Sequence, residues 1–173
     1  MSTLEVVQLA QLQRMLDGRG DDEGLSEAHA LRDVLVRTLA QGRALVEELE
    51  ARRRAVFDPV GDMVDEIGPY AYVSEVLAVA LDATLDERDE DSRARGLRDV
   101  ADALEEALRT ELPDVRDAID IRLVERLLGH PDQWIALRSY AGDALRACVA
   151  ERLQYFSWDE DAYGPVFEEG EPR

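Results

Sequence analysis

The spacing of apolar residues along the chain is helical almost throughout. Apolar side chains recur every three or four positions, and no stretch of four or more residues alternates cleanly between apolar and polar as a half-buried strand would. The spacing predicts an all-α protein, either a helical bundle or a short array of helix pairs. The predicted helices cover residues 3–17, 26–57, 72–85 and 114–128. A further helix contains Leu97 to Leu108 and is closed by Pro113, and the last helix opens at Pro131 and contains Cys148.

Local signals set the predicted boundaries of these helices. Ser26 is a preferred capping residue at the start of the second helix, and the pair Asp58-Pro59 ends it because proline disfavours helical geometry in the residue before it. Gly129 ends the fifth helix. Pro131 occupies a favoured first helical position and opens the last one.

The end of the chain differs in composition from the rest. After Phe156 the sequence is rich in carboxylates and contains two prolines, so we expect a single helical domain over residues 1–156 and an acidic aromatic tail over 157–173. Trp158, Tyr163 and Phe167 stand among those carboxylates. Aromatic side chains are strong anchors in protein interfaces, so these three are the predicted partner-binding residues. The alternative is that the aromatic residues around Trp158 fold back and cover the end of the bundle.

The net charge restricts the class of partner. The chain has 39 acidic and 20 basic residues, which give a formal net charge of -19 at pH 7. Such a chain is unsuited to binding nucleic acid through its phosphates, and it favours a basic protein as partner. All 20 basic residues are arginine, and lysine and asparagine are absent, as is typical of a GC-rich genome. Adaptation to a salt-rich cytoplasm would give the same bias, and the sequence leaves both origins open.

Other features point to the cytoplasm and away from bound cofactors. The N-terminus shows no basic segment followed by an apolar one, and no run approaches the 18 apolar residues of a membrane span. The sequence therefore predicts a cytoplasmic protein without a membrane contact. One cysteine and two histidines give neither an internal disulfide nor the spacing of a zinc site, so no cofactor is predicted.

Residues 97–104 and 137–145 resemble each other, and they start 40 residues apart. Each segment begins with Leu-Arg, contains small residues and follows a helix and an acidic turn. This period is similar to that of HEAT-type helical repeats, over roughly residues 70–149. The resemblance implies a scaffold of stacked helix pairs that binds another macromolecule. A plain helical bundle is the alternative.

A cluster of carboxylates is the only candidate for catalytic chemistry. It comprises Glu47, Glu48, Glu50, Asp62, Asp65 and Glu66. Its spacing resembles the EExxE and ExxD pattern of all-α nucleoside triphosphate pyrophosphohydrolases of the MazG and dUTPase kind, which implies a magnesium site between two helices. The third glutamate falls one position early, and Asp62 stands where the pattern has glutamate. Ion pairs with arginines four residues away on the same helix are the alternative.

Three further motifs are better explained by structure than by chemistry. The tripeptide His130-Pro131-Asp132 matches that of J-domain cochaperones, but the acidic residues upstream favour a turn at the start of a helix. The arginine run at 52–54 lies next to glutamates, which favours surface salt bridges. Cys148 falls in phase with the apolar stripe of the last helix, so we expect a buried thiol.

The sequence thus predicts a non-enzymatic, acidic, helical protein that binds a basic protein as an adaptor, an inhibitor or a neutralising partner. The alternative is a magnesium-dependent all-α nucleoside triphosphate pyrophosphohydrolase-like enzyme. A long amphipathic helix such as residues 26–57 leaves both a homodimer and a monomer open.

Overall fold

The computed structural model describes residues 21–57 and 67–155, which form seven helices and no strand. The all-α class predicted from the apolar spacing is confirmed. The helices are α1 (Asp21–Thr38), α2 (Gly42–Phe57), α3 (residues 69–85), α4 (Glu90–Arg109), α5 (residues 113–129), α6 (Pro131–Leu137) and α7 (Asp143–Leu153). The predicted helix at residues 3–17 and the tail at 157–173 lie outside the described residues.

Helix α4 lies at the centre of the bundle and packs against α1, α3, α5, α6 and α7. Its start is fixed by Asp89, whose carboxylate accepts a hydrogen bond from the backbone N–H of Ser92 at 2.8 Å. Its end is followed by Glu111, which has a left-handed φ of 56°. The buried face of the helix consists chiefly of Leu97, Val100, Ala101, Ala103, Leu104, Ala107 and Leu108.

Helices α3 and α5 each contain one π-helical turn. In α3 the π turn is Val73–Leu77, and in α5 it is Asp120–Val124. The two π turns contact each other, and both begin one or two turns after a proline that opens the helix. A π turn contains an extra residue relative to an α-helix, so it changes which side chains face the neighbouring helix.

The predicted single helix at residues 26–57 is wrong, because the chain turns at residues 39–41 and divides it into α1 and α2. The predicted start is wrong as well, since α1 begins at Asp21 and Ser26 lies inside it. At Gly42 the chain passes so close to α1 that a Cβ atom would overlap the carbonyl oxygen of Leu35. The apolar side chains before, within and after the turn are all buried: Leu35, Leu39, Val46 and Leu49. The apolar stripe stays in phase through the turn, so the periodicity gives no sign of it.

The predicted helix from Pro131 to Cys148 is also divided, into α6 and α7. The division occurs where the carboxylate of Glu105 meets the start of α7: a Cβ atom at Gly142 would lie 2.6 Å from Cδ of Glu105. Residues 97–104 therefore lie within one helix, whereas 137–145 span a turn. The resemblance to HEAT-type repeats stays a prediction.

Candidate functional site

Two clefts flank helix α3, one towards each end. The acidic cleft has a volume of about 310 Å³ and lies between the α1–α2 turn, the end of α3 and the start of α4. The arginine cleft has a volume of about 400 Å³ and lies between α2, the start of α3 and the π turn of α5. Ser74 of the arginine cleft and Thr84 of the acidic cleft are about 15 Å apart along α3, at 1.5 Å per residue.

The acidic cleft combines an apolar floor with a charged rim. The floor includes Leu39, Ala80 and Ala83, and the rim carries Glu87 and Asp99 together with Arg95. Below the cleft α3 and α4 touch closely: a Cβ atom at Gly96 would lie 2.7 Å from Cγ2 and Oγ1 of Thr84. The part of the floor that α3 and α4 form is therefore tightly packed.

An acidic turn, residues 86–91, borders this cleft and is exposed at every position. The carboxylate of Glu87 accepts hydrogen bonds from the backbone N–H groups of Arg88 at 2.8 Å and of Asp89 at 3.1 Å. Asp89 is itself the residue that caps the start of α4. The turn thus presents five carboxylates and one arginine from a fixed backbone.

Asp99 on the rim has no ion pair within the described part of the chain. Burial raises the pKa of this carboxyl above its ordinary value, and the charge of Asp102 adds to the effect, while Arg98 and Arg95 oppose it. The ionised carboxylate is therefore incompletely compensated by the fold. A carboxylate in this condition favours the approach of an external cation.

The polar residues of the arginine cleft come largely from the two π turns. Ser74 and Glu75 belong to the π turn of α3, and Arg122 belongs to that of α5. Arg53 of α2 donates to the carboxylate of Glu75 at 2.8 Å, and Arg52 lies 3.4 Å from the same carboxylate. The extra residue in each π turn helps to place these side chains on the cleft while Val73, Val76 and Leu123 stay buried.

The guanidinium of Arg122 lies over the ring of Tyr70, 5.8 Å from the ring centre. Among the described residues Arg122 forms no ion pair with a carboxylate. Burial raises the pKa of Tyr70, and the charges of Asp117 and Asp114 raise it further. The lining of the arginine cleft thus carries two arginines and one carboxylate, that of Glu75, and the charges of Asp114 and Asp117 lie nearby.

Behind this cleft Glu50 joins three helices. Its carboxylate accepts hydrogen bonds from Nε of Arg32 on α1 at 2.5 Å and from the hydroxyl of Tyr72 on α3 at 3.2 Å. The hydrogen bond from Arg32 lowers the pKa of Glu50, although burial opposes it. Burial raises the pKa of Tyr72 to about 12, and the charge of Glu50 adds to the rise. Glu50 is therefore ionised and committed to the fold.

The carboxylates predicted as a magnesium site are only partly described. Glu47 and Glu48 are exposed, and Glu50 is engaged as above, while Asp62, Asp65 and Glu66 lie outside the described residues. In the described ranges no group of three or more side chains could hold a metal ion. The expected pairing of Glu48 with Arg52 is found at 3.9 Å, but Arg54 contacts the backbone carbonyl of Glu50 instead of its carboxylate.

The other residues singled out in the sequence have structural roles where they are described. His130 is an exposed residue between α5 and α6, and Pro131 opens α6, so the tripeptide forms the expected turn at the start of a helix. Cys148 is buried, and burial raises the pKa of its thiol to about 11. The predicted partner-binding residues Trp158, Tyr163 and Phe167 lie outside the described residues.

Glu105 is a structural carboxylate that the sequence does not predict. It is 6% exposed, and it accepts hydrogen bonds from the backbone N–H groups of Ala144 at 3.2 Å and Leu145 at 2.8 Å. It thereby caps α7 from a distance of 40 residues in the chain. Its only signal in the sequence is a position in phase with the buried Ala101 and Leu108.

Comparisons with protein-family models, curated proteins and solved structures give no significant match. Within residues 21–57 and 67–155, every helix is too short or too polar to cross a membrane.

Proposed function

We propose that this chain is a non-enzymatic helical protein that binds a basic protein partner, as an adaptor, an inhibitor or a neutralising partner. The acidic cleft carries the proposal. An apolar floor with carboxylates at the rim suits an arginine or lysine side chain, whose aliphatic stem packs on apolar surface while its charged head stays with the acids.

The distribution of ion pairs supports this choice of partner. About half of the described arginines pair with carboxylates of the same chain: for example, Arg37 pairs with Glu106, Arg116 with Glu151 and Arg126 with Asp82. The acidic turn at 86–91 keeps its carboxylates exposed. An excess of fixed negative charge beside a cleft steers a basic partner to it and speeds the encounter.

The tail residues Trp158, Tyr163 and Phe167 supply the second part of the proposed interface. Charge accelerates encounter, whereas aromatic anchors supply most of the affinity once the partner is seated. The magnesium-dependent alternative stays a prediction, since half of its acidic residues lie outside the described ranges and no contact of the other half favours it.

A peptide of six arginines is a direct probe of the acidic cleft. We expect the full chain to bind it at low salt, and we expect Glu87→Gln with Asp99→Asn to weaken binding about ten-fold. Glutamine keeps the side-chain oxygen that accepts the N–H groups of Arg88 and Asp89, so the turn is preserved. Affinity is measured by isothermal titration calorimetry.

The matched control is Glu47→Gln with Glu48→Gln, which removes the same charge from exposed positions on α2. This control should change the affinity less than two-fold, because solvent and salt screen charges at exposed positions away from the cleft. Equal losses in the two double variants would show that only net charge matters, and they would refute the cleft as the site. A full-length chain with Trp158, Tyr163 and Phe167 changed to alanine tests the tail, in pull-downs of basic proteins at low salt.

A further inference from the structure

We propose that the arginine cleft is a second binding site, for a small planar carboxylate. This site is independent of the proposed partner site, since it lies towards the other end of α3 and has the opposite local charge. Its polar lining is formed by Arg53, Arg122, Tyr70, Ser74 and Glu75.

Arg122 is the main reason for proposing an anion. Of the two arginines that line the cleft, Arg53 pairs with Glu75 at 2.8 Å, whereas the exposed Arg122 lies within 4 Å of no carboxylate among the described residues. Arg122 instead stacks on Tyr70 at the cleft. Stacking uses the face of the guanidinium, and its N–H donors lie in the plane, so they remain available to a ligand.

Arg53 and Ser74 extend the same donor surface. Arg53 is held by Glu75 at 2.8 Å, which fixes its guanidinium at the cleft while leaving further N–H donors. Ser74, which precedes Glu75 in the π turn of α3, adds a hydroxyl to the lining of the cleft. A carboxylate matches the fork of an arginine with two parallel hydrogen bonds, which a single-donor site could not offer.

The surrounding acids select a ligand with one negative charge. Glu75 lines the cleft. Burial raises the pKa of the Tyr70 hydroxyl, and the nearby charges of Asp117 and Asp114 raise it further. These three carboxylates repel a doubly charged phosphate more strongly than a singly charged carboxylate. A volume of about 400 Å³ admits a ring-sized ligand beside the Tyr70–Arg122 stack.

Two sources could supply this carboxylate: a free small molecule or an acidic residue of the chain's own tail. Asp159, Glu160 and Asp161 follow directly after Trp158. The chemistry of recognition is the same in both cases. A full-length variant in which these three residues become Asn, Gln and Asn separates the two sources.

Benzoate is the probe, and benzamide is its uncharged match. Titration of the full chain, followed by backbone NMR, should shift the amide signals of Ser74, Glu75 and Arg122, with a Kd of about 1 mM or tighter for a ligand of this size. Benzamide and inorganic phosphate should each bind at least ten-fold more weakly than benzoate. Arg122→Ala should weaken benzoate binding about ten-fold or more, and Arg122→Lys should do so several-fold.

Arg43→Ala is the control variant, because Arg43 is an exposed arginine on α2, about 15 Å from Arg53 along the helix. It should leave benzoate affinity within two-fold, and all variants should unfold at the temperature of the parent chain. If benzoate binds only after the three tail carboxylates are neutralised, the cleft is confirmed and the tail is its occupant. The proposal is overturned if benzoate binds neither form, if benzamide or phosphate binds as well, or if Arg122→Ala has no effect.

Discussion

The two clefts on α3 have similar volumes but opposite local charge. The acidic cleft lies next to exposed carboxylates and a fixed acidic turn, whereas the arginine cleft gathers two arginines in a chain with a net charge of -19. The difference shows that the fold distributes charge locally and does not merely carry a uniform acidic surface. A net charge taken from the sequence therefore describes only the long-range attraction for a partner.

The carboxylates near the two clefts differ in the same way. Glu50, behind the arginine cleft, has a pKa lowered by the hydrogen bond from Arg32, so its charge stabilises the fold. Asp99, on the acidic cleft, has a pKa raised by burial, so its negative charge slightly destabilises the folded state. Glu50 is also held by hydrogen bonds from Arg32 and Tyr72, whereas Asp99 forms no ion pair among the described residues, so we expect Glu50 to be structural and Asp99 to be available for binding. Substitutions at these two carboxylates, and at Glu105, the most buried carboxylate for which burial is described, test this distinction.

The largest effect is expected at Glu105. Glu105→Ala removes the cap of α7 and leaves the N–H groups of Ala144 and Leu145 without their acceptor. We expect a loss of about 3 kcal/mol in the free energy of unfolding, measured by urea denaturation. Glu106→Ala is the control: Glu106 is a more exposed neighbour that pairs with Arg37, and its loss should cost less than about 1 kcal/mol. Equal costs would mean that the cap does not hold α7.

The second effect concerns Glu50 behind the arginine cleft. Glu50→Ala leaves Arg32 and the buried hydroxyl of Tyr72 without their partner, so we expect a loss of about 2 kcal/mol at pH 7. Glu47→Ala, at an exposed position of the same helix, should cost less than about 0.5 kcal/mol.

The pH dependence of the Glu50 effect has a defined sign. The pKa of Glu50 is lowered in the folded state, so its contribution is present above the ordinary value of 4.5 and is lost as the pH falls through the folded value. The difference between the parent chain and Glu50→Ala should therefore shrink in acid. A difference that stays constant down to pH 2 would contradict an ionic role.

The third effect tests the floor of the acidic cleft. Gly96→Ala places a methyl group 2.7 Å from the side chain of Thr84, so we expect a destabilisation of about 1 kcal/mol despite the better helix propensity of alanine. In a Thr84→Ala background the same change should be neutral or stabilising. Additive effects of the two substitutions, measured in a double-mutant cycle, would show that α3 and α4 do not touch there.

The smallest effect is expected at Asp99, with the opposite sign. Its pKa is raised in the folded state, so the fold is favoured by protonation, and this advantage is lost as the pH rises through the folded value. Asp99→Asn should therefore stabilise the chain by about 0.3 kcal/mol at pH 7, after allowance for solvent screening. The gain should vanish below the ordinary value of 3.8, where the parent carboxyl is protonated in both states. A loss of stability at pH 7 would make Asp99 a structural residue.

The fold class could be predicted from the sequence because apolar periodicity and local stop signals are local properties. Pro131 opens a helix, and Cys148 is buried, as the sequence predicts. The turn at 39–41 could not be predicted, because Gly42 falls on the buried stripe and keeps it in phase. The π turns could not be predicted either, because they have no characteristic amino-acid composition.

The candidate sites depend on contacts between distant parts of the chain. Arg53, Tyr70 and Arg122 come from three helices, and Leu39 and Glu87, which line one cleft, are 48 positions apart in the sequence. Glu105 caps a helix that begins far along the chain. These distances cannot be read from a single sequence. The acidic residues could therefore be counted, but those that stabilise the fold could not be told apart from those that are free to bind a partner.

One experiment tests the opposed charge of the two clefts most directly. The six-arginine peptide and benzoate are each titrated into the parent chain, into the Glu87→Gln, Asp99→Asn double variant and into Arg122→Ala. We expect the two effects to be separate: the double variant should weaken binding of the peptide only, and Arg122→Ala should weaken binding of benzoate only. If both ligands respond equally to both changes, the two clefts are not distinct sites and net charge alone governs binding.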